Sequence, residues 1–395
     1  MNLRDYRTLL AAGAALMYSG DIANYTLRYG LAPPLWVSGF LAASTPLALA
    51  AIRWGRFRLE PMVIWAYGYL AISFLWFFPS SQSAVAWQQV QTRVLSVIFL
   101  LLLFFLFVDQ RAQRAARQAI AVATLISSAL NLYELFNPMT FSDIPGRSTG
   151  LFANVNQSGA AIVLGLILGQ GVVPPRYRGV YVIATGVGLM PTFSRSAILG
   201  WVAVCFVTWL LSGIRPSGLL KFGTVSIVAA LFLLTPWWGS LQTELARRGV
   251  LTENVLDRLA FFEGGGAEDA SAEERVVVAQ LAWQTFADHP VTGTGTGATT
   301  ENDFVVGPHN IYLAMMAEHG ISGLFIVPAL LLATLWGANR DTAAVTIPFA
   351  LFIIFWGFFS HNVLEERYIL LSFALVAAMV ASRRQPVPQL RQVLA

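Results

Sequence analysis

His309 opens the stretch His309-Asn310-Ile311-Tyr312-Leu313, directly after Gly307-Pro308. Proline suits a first helical position, so the spacing predicts His309 in the first turn of a helix. The positive end of the helix dipole and nearby guanidinium groups would both oppose protonation there. A neutral imidazole can serve as a general base near neutral pH. The free amide N–H groups of the same turn would also attract an anion. The structural alternative is a histidine that hydrogen-bonds a loop carbonyl.

Three arginines could supply the complementary charge. Arg195 sits in Thr192-Phe-Ser-Arg-Ser, a very short turn between two apolar stretches. It could grip a phosphate or simply snorkel to lipid headgroups. Arg147 lies in the Gly- and Asn-rich run Gly146-Arg-Ser-Thr-Gly-Leu-Phe-Ala-Asn-Val-Asn, where loop carbonyls could equally satisfy it. Arg275 heads an amphipathic stretch, and a cation opposing a helix dipole invites a compensating anion. Secondary candidates are Asn310 and Tyr312 beside the histidine, His361 with its neighbours Asn362, Glu365 and Glu366, and Glu134, an ionisable group inside an apolar stretch that could pair with an arginine. No carboxylate pair at Asp-x-Asp spacing offers a divalent metal site, so neither metal nor cofactor is expected. Gly293-Thr-Gly-Thr-Gly-Ala nearly matches a dinucleotide fingerprint, but no βαβ unit surrounds it, and it reads as a hinge. The single cysteine, Cys205, excludes an intrachain disulfide.

The elements that must position these groups are set by composition. Of 395 residues, 56% are hydrophobic and only 12% charged, about half the charge of a soluble domain. Runs such as Val94 to Val108 carry no charge at all. Lipid has to be the solvent. Basic residues occur as short clusters between apolar segments rather than as one basic face, which excludes a nucleic-acid partner. With roughly 20 apolar residues needed per span, the expected architecture is an all-α integral membrane protein of about twelve helices, near 8–27, 33–52, 61–79, 93–108, 118–136, 158–173, 179–192, 196–213, 222–238, 309–337, 342–360 and 368–382. The N-terminal segment reads as a retained first helix rather than a cleaved signal.

With the N-terminus in the cytoplasm and loops alternating, 16 Lys and Arg residues fall on the inner side and 9 on the outer. That bias favours both termini inside. It also places Arg147, Arg195, Arg275 and His309 on the same outer surface. Residues 1–395 then form one polytopic membrane domain, whose long outer loop, 239–308, holds 11 of the 21 acidic residues. Two amphipathic helices are expected within it, at Leu241–Leu259 and Glu273–Ala287, separated by Gly264-Gly265-Gly266.

Taken together, His309-Asn310, nine residues, then Gly320-x-x-Gly323 resembles the histidine-containing signature of the O-antigen ligase family, relatives of O-antigen polymerases and bacterial oligosaccharyltransferases. Pro290-Val-Thr-Gly-Thr-Gly, Arg275, Thr192-Phe-Ser-Arg195 and Arg147-Ser-Thr-Gly150 with Asn154 and Asn156 resemble further pieces of that pattern in the same order. The resemblance implies a metal-independent, inverting membrane glycosyltransferase of the bacterial inner membrane, active on its periplasmic face in lipopolysaccharide biosynthesis. It implies a glycan on undecaprenyl pyrophosphate as donor and a sugar hydroxyl of lipid A–core as acceptor. The family's essential histidine maps to His309 and its essential arginines to Arg195 and Arg275, with Arg147 in a looser match. A polymerase or protein oligosaccharyltransferase would use the same donor. A glycan transporter would instead predict repeated halves with broken helices, and no repeat is present.

Overall fold

In the computed structural model, residues 2–52, 60–143, 146–211, 247, 270–301 and 307–384 are described. Every regular element among them is helical. The order is α1 (Leu3–Ser19), α2 (Pro33–Ile52), α3 (Pro61–Leu75), α4 (Ala84–Phe107), α5 (Gln110–Phe136), α6 (Val155–Gly169), α7 (Arg178–Leu189), α8 (Arg195–Leu211), α9 (Ala270–Asp288), α10 (Ile311–His319), α11 (Ile326–Leu335), α12 (Ala343–Gly357) and α13 (Arg367–Arg384). The expected span at 222–238, the amphipathic stretch 241–259 apart from residue 247, and the three-glycine break lie outside the described residues.

Among the described residues, three helical stretches are long and apolar enough to cross a bilayer: Ala84–Phe107, Gln110–Phe136 and Ile311–Leu335. Shorter apolar helices are Pro61–Leu75, Val155–Gly169, Arg195–Leu211 and Ala343–Gly357. Polar caps set many of the boundaries. Ser83 accepts hydrogen bonds from the Val85 and Ala86 amides, so α4 begins at Ala84, well before Arg93. The apolar ruler expected that helix to start at 93, because Gln88, Gln89 and Gln91 hide its first turns. The single expected helix 309–337 is two, joined by a 3-10 segment, Gly320–Phe325. Gly320 has φ +60, where a Cβ would also lie 2.7 Å from the Pro290 carbonyl oxygen.

A continuous apolar core runs through α13, buried along most of its length, and is covered by α4, α6 and α11. Large aromatics fill it, with Phe349 edge-on to Phe373 at 5.1 Å and Phe352 stacked on Trp356 at 5.7 Å. Glycines allow close helix approach at α5–α6, where a Cβ on Gly165 would lie 2.9 Å from the Thr124 Cβ. Turn contacts define two ends of the bundle. At one, Arg117 donates to the Leu168 carbonyl (2.8 Å), Gln113 to Ser382 (3.2 Å), and Arg384 pairs with Glu60 (3.6 Å). The candidate residues gather at the other.

Candidate active site

Glu134, in the last turn of α5, is 2% exposed and organises the loop that carries Arg147. Its Oε1 accepts from the amides of Phe141 (2.9 Å) and Ser142, and its Oε2 from Thr149 (2.8 Å) and Gly150 (3.1 Å). The expected pairing of Glu134 with an arginine gives way to these four amides. A carboxylate has about four lone-pair sites, and the loop fills them.

Arg147, also buried, crosses to the turn before α8. Its Nε donates to the Thr192 carbonyl at 3.0 Å and its Nη2 to Phe193 at 3.5 Å, while the Ser148 amide bonds Pro191 at 2.9 Å. The carbonyl-satisfied alternative therefore describes much of Arg147, which acts as a clasp between its loop and the Arg195 turn. Phe193 in that turn has φ 47, a left-handed conformation costly for an aromatic residue. Arg195 is the first residue of α8 and half-buried.

Further contacts carry this assembly to the histidines. Ser194 donates to the Asn156 side chain at 2.8 Å, and the next residue, Gln157, donates to Glu366. Asn154 caps α6 through the Asn156 amide. Glu366 closes the 361–366 turn, its amide and that of Glu365 both bonding the Asn362 carbonyl at 2.9 Å. At the start of this turn, the His361 ring stands edge-on to His309, with centroids 5.5 Å apart. Gly307 lies flat against His361, since a Cβ there would fall 2.5 Å from Nε2. The Arg147 loop, the Arg195 turn, His361 and His309 thus share one end of the bundle.

His309 departs from its expected place. It precedes the helix rather than opening it, with φ 48, because Asn310 is the cap. The Asn310 side chain accepts from the amides of Tyr312 (3.0 Å) and Leu313 (3.2 Å). Asn310 is committed to that cap. Tyr312 donates to the Ile354 carbonyl at 3.2 Å and packs on Phe358, fixing α10 against α12. Arg275 lies in the second turn of α9, which packs along α10.

Burial disfavours charge in the 361–366 turn. The His361 imidazole is lowered to about 4 by desolvation and by the neighbouring His309. Glu366 is raised to about 8 by desolvation, then by Asp21, and Glu365 is raised by desolvation.

Composition alone missed a buried cluster. Arg93, 2% exposed, forms an ion pair with Glu318 and contacts His319 Nε2 at 2.8 Å. A helix starting at 93 would put Arg93 at its outer end among the loop residues; the earlier start of α4 at Ala84 buries it instead. The available signal was opposite charges inside two apolar stretches. The hinge reading of residues 293–297 also fails, since Thr296 is fully buried and its hydroxyl bonds the Ser73 carbonyl at 2.9 Å.

Residues 180–328 match the family model described as O-antigen ligase. This match supports an O-antigen ligase family assignment. It spans Arg195, Arg275, His309 and the Gly320-x-x-Gly323 pair. No curated protein matches the chain. Together with the apolar helices, the match supports a membrane protein of ligase- or polymerase-type function; lipid-linked glycans and lipid acceptors are the partners that family implies in general.

Proposed function

We propose that this protein transfers a glycan from undecaprenyl pyrophosphate to a sugar hydroxyl of lipid A–core, with inversion and without a metal, at the periplasmic face of the inner membrane. Both termini are then cytoplasmic, and residues 239–308 are the periplasmic loop of a single membrane domain. The observation that carries the reading is the run of contacts joining the Arg147 loop, the Arg195 turn and the His361 turn to His309 at one end of the bundle.

The chemistry follows from that grouping. His309 takes the proton of the acceptor hydroxyl as its oxygen attacks the anomeric carbon. The bond from that carbon to the pyrophosphate oxygen breaks, and undecaprenyl pyrophosphate leaves with the electron pair. Arg195 and Arg275 hold the pyrophosphate, whose negative charge grows at the transition state. Guanidinium groups suit this because they are planar, permanently charged and bidentate. At the edge of an apolar bundle their field is weakly screened. Arg147 supports Arg195 through the 191–193 turn. His361 faces the base across the ring contact, and its burial favours a neutral imidazole there.

Purified protein in liposomes, given a defined undecaprenyl-pyrophosphate glycan and a chelator, tests the reading. Product should form on lipid A–core. Product forming on a second lipid-linked glycan instead would establish the polymerase alternative. Absence of transfer without added divalent metal would refute the metal-free mechanism.

A further inference from the structure

The Arg93 cluster takes no part in the proposed bond changes, yet it holds both elements that do. Arg93 Nη1 contacts His319 Nε2 at 2.8 Å, and its Nη2 donates to Glu318, both at the end of α10. The guanidinium carbon lies 5.8 Å over the Tyr69 ring of α3, and the Trp76 ring stands edge-on to His319 at 5.9 Å. Thr299 donates to the other Glu318 oxygen at 2.6 Å.

Thr299 belongs to a strap, residues 289–301, that runs from the end of α9 back over α10. The strap is bonded along its length: Thr294 N to Ala317 O (3.0 Å), Gly295 N to Glu318 O (2.9 Å), Thr296 N to Trp76 O (3.0 Å), and Ile321 N to Pro290 O (2.8 Å). Glycine is required at the crossing, where a Cβ on Gly293 (φ +60) would sit 2.6 Å from the Gly320 amide nitrogen. The Arg93–Glu318 pair therefore clamps the far end of the helix that follows His309 and the strap that leads from the helix bearing Arg275. A buried ion pair is a poor stabiliser, because desolvation offsets most of its attraction. A role in fixing register accounts for it better.

We propose that Arg93 and Glu318 are positioning residues for glycan transfer, setting α9 and α10 in register so that Arg275 and His309 address one substrate. This rests on the catalytic reading above. The test uses the full-length protein and compares Arg93→Met, Glu318→Gln and the charge-free double variant Arg93→Met/Glu318→Met, with His309→Ala alongside. Thermal midpoint, kcat and donor KM are measured for each. Each single variant strands a buried charge or its partner and should lower the midpoint. The double variant should recover the midpoint, yet its kcat should stay about 10- to 100-fold low with KM nearly unchanged, as expected for a displacement of about 1 Å at the reacting groups. A double variant that recovers both midpoint and kcat would reduce the pair to ordinary packing and overturn the proposal.

Should the double variant fail to insert, Arg93→Lys keeps the charge and loses the fork. A normal midpoint with lowered kcat supports positioning, and wild-type kcat overturns it. An active His309→Ala protein would instead refute the base assignment, an outcome separate from those of the Arg93 and Glu318 variants.

Discussion

Replacing Glu134 by glutamine changes one atom of the carboxylate and should dismantle the Arg147 loop. The carboxylate accepts four backbone N–H groups, two per oxygen. A glutamine keeps one oxygen and turns two donors of its amide nitrogen toward the other pair of N–H groups. Hydrogen bonds to a charged group contribute about 1.5–3 kcal/mol each, so losing two amounts to roughly 3–6 kcal/mol at a 2% exposed site. That is a large fraction of the 5–15 kcal/mol stability of a typical domain. Because Arg147 ties the loop to Thr192 and Phe193, the disturbance reaches Arg195. Thermal unfolding in detergent, read with the transfer rate, measures both effects. The midpoint should drop by several degrees and kcat by about 100-fold, the effect of misplacing a reacting group by about 1 Å. A Glu134→Gln protein with wild-type midpoint and rate would refute the argument, since these bonds would then not hold the loop.

Other outcomes follow from the same geometry. Arg195→Ala should lower kcat by about 10²- to 10³-fold, the usual cost of losing one transition-state charge partner, and Arg195→Lys should recover only part of it in a steady-state transfer assay. Gly307→Ala places a methyl group 2.5 Å from His361 Nε2, so the histidine pair must separate and kcat should fall by about 10-fold or more while insertion is normal. Glu366, raised from 4.5 to about 8, holds a proton in the folded state that the unfolded chain releases. Stability from this group is present below pH 4.5 and is lost as pH rises through 8. Glu366→Gln should accordingly raise the thermal midpoint more at pH 8.5 than at pH 5, and an equal difference at both would contradict the assignment. In a Cys205→Ser background, Gln82→Cys should react with an impermeant maleimide from outside the cell and Asp341→Cys only after permeabilisation. The reverse pattern would invert the topology.

Helices were legible where apolar runs are long, because lipid demands about 20 such residues whatever the neighbours. Their ends were less so. Gln88, Gln89 and Gln91 belong to α4 although they interrupt the apolar run, and Gln89 donates to Thr300 at 3.0 Å. His309, Arg195 and Arg275 stood out by chemical type and by their share in a family signature. The work of Glu134 did not, because its partners are main-chain amides that any sequence would supply. Nor did the Arg93–Glu318 pair, whose members lie 225 positions apart and meet only once α4 and α10 are packed. The short turn holding Phe193 and Arg195 could be read as a turn, but its clasp by Arg147 depends on two loops meeting.

The base assignment is tested most directly by single-turnover transfer with His309→Ala protein, reconstituted with undecaprenyl-pyrophosphate glycan and lipid A–core and shown to unfold at the wild-type temperature. Loss of a histidine base should slow the chemical step by about 10²- to 10⁴-fold while donor binding stays intact. A wild-type rate in that protein would contradict the account.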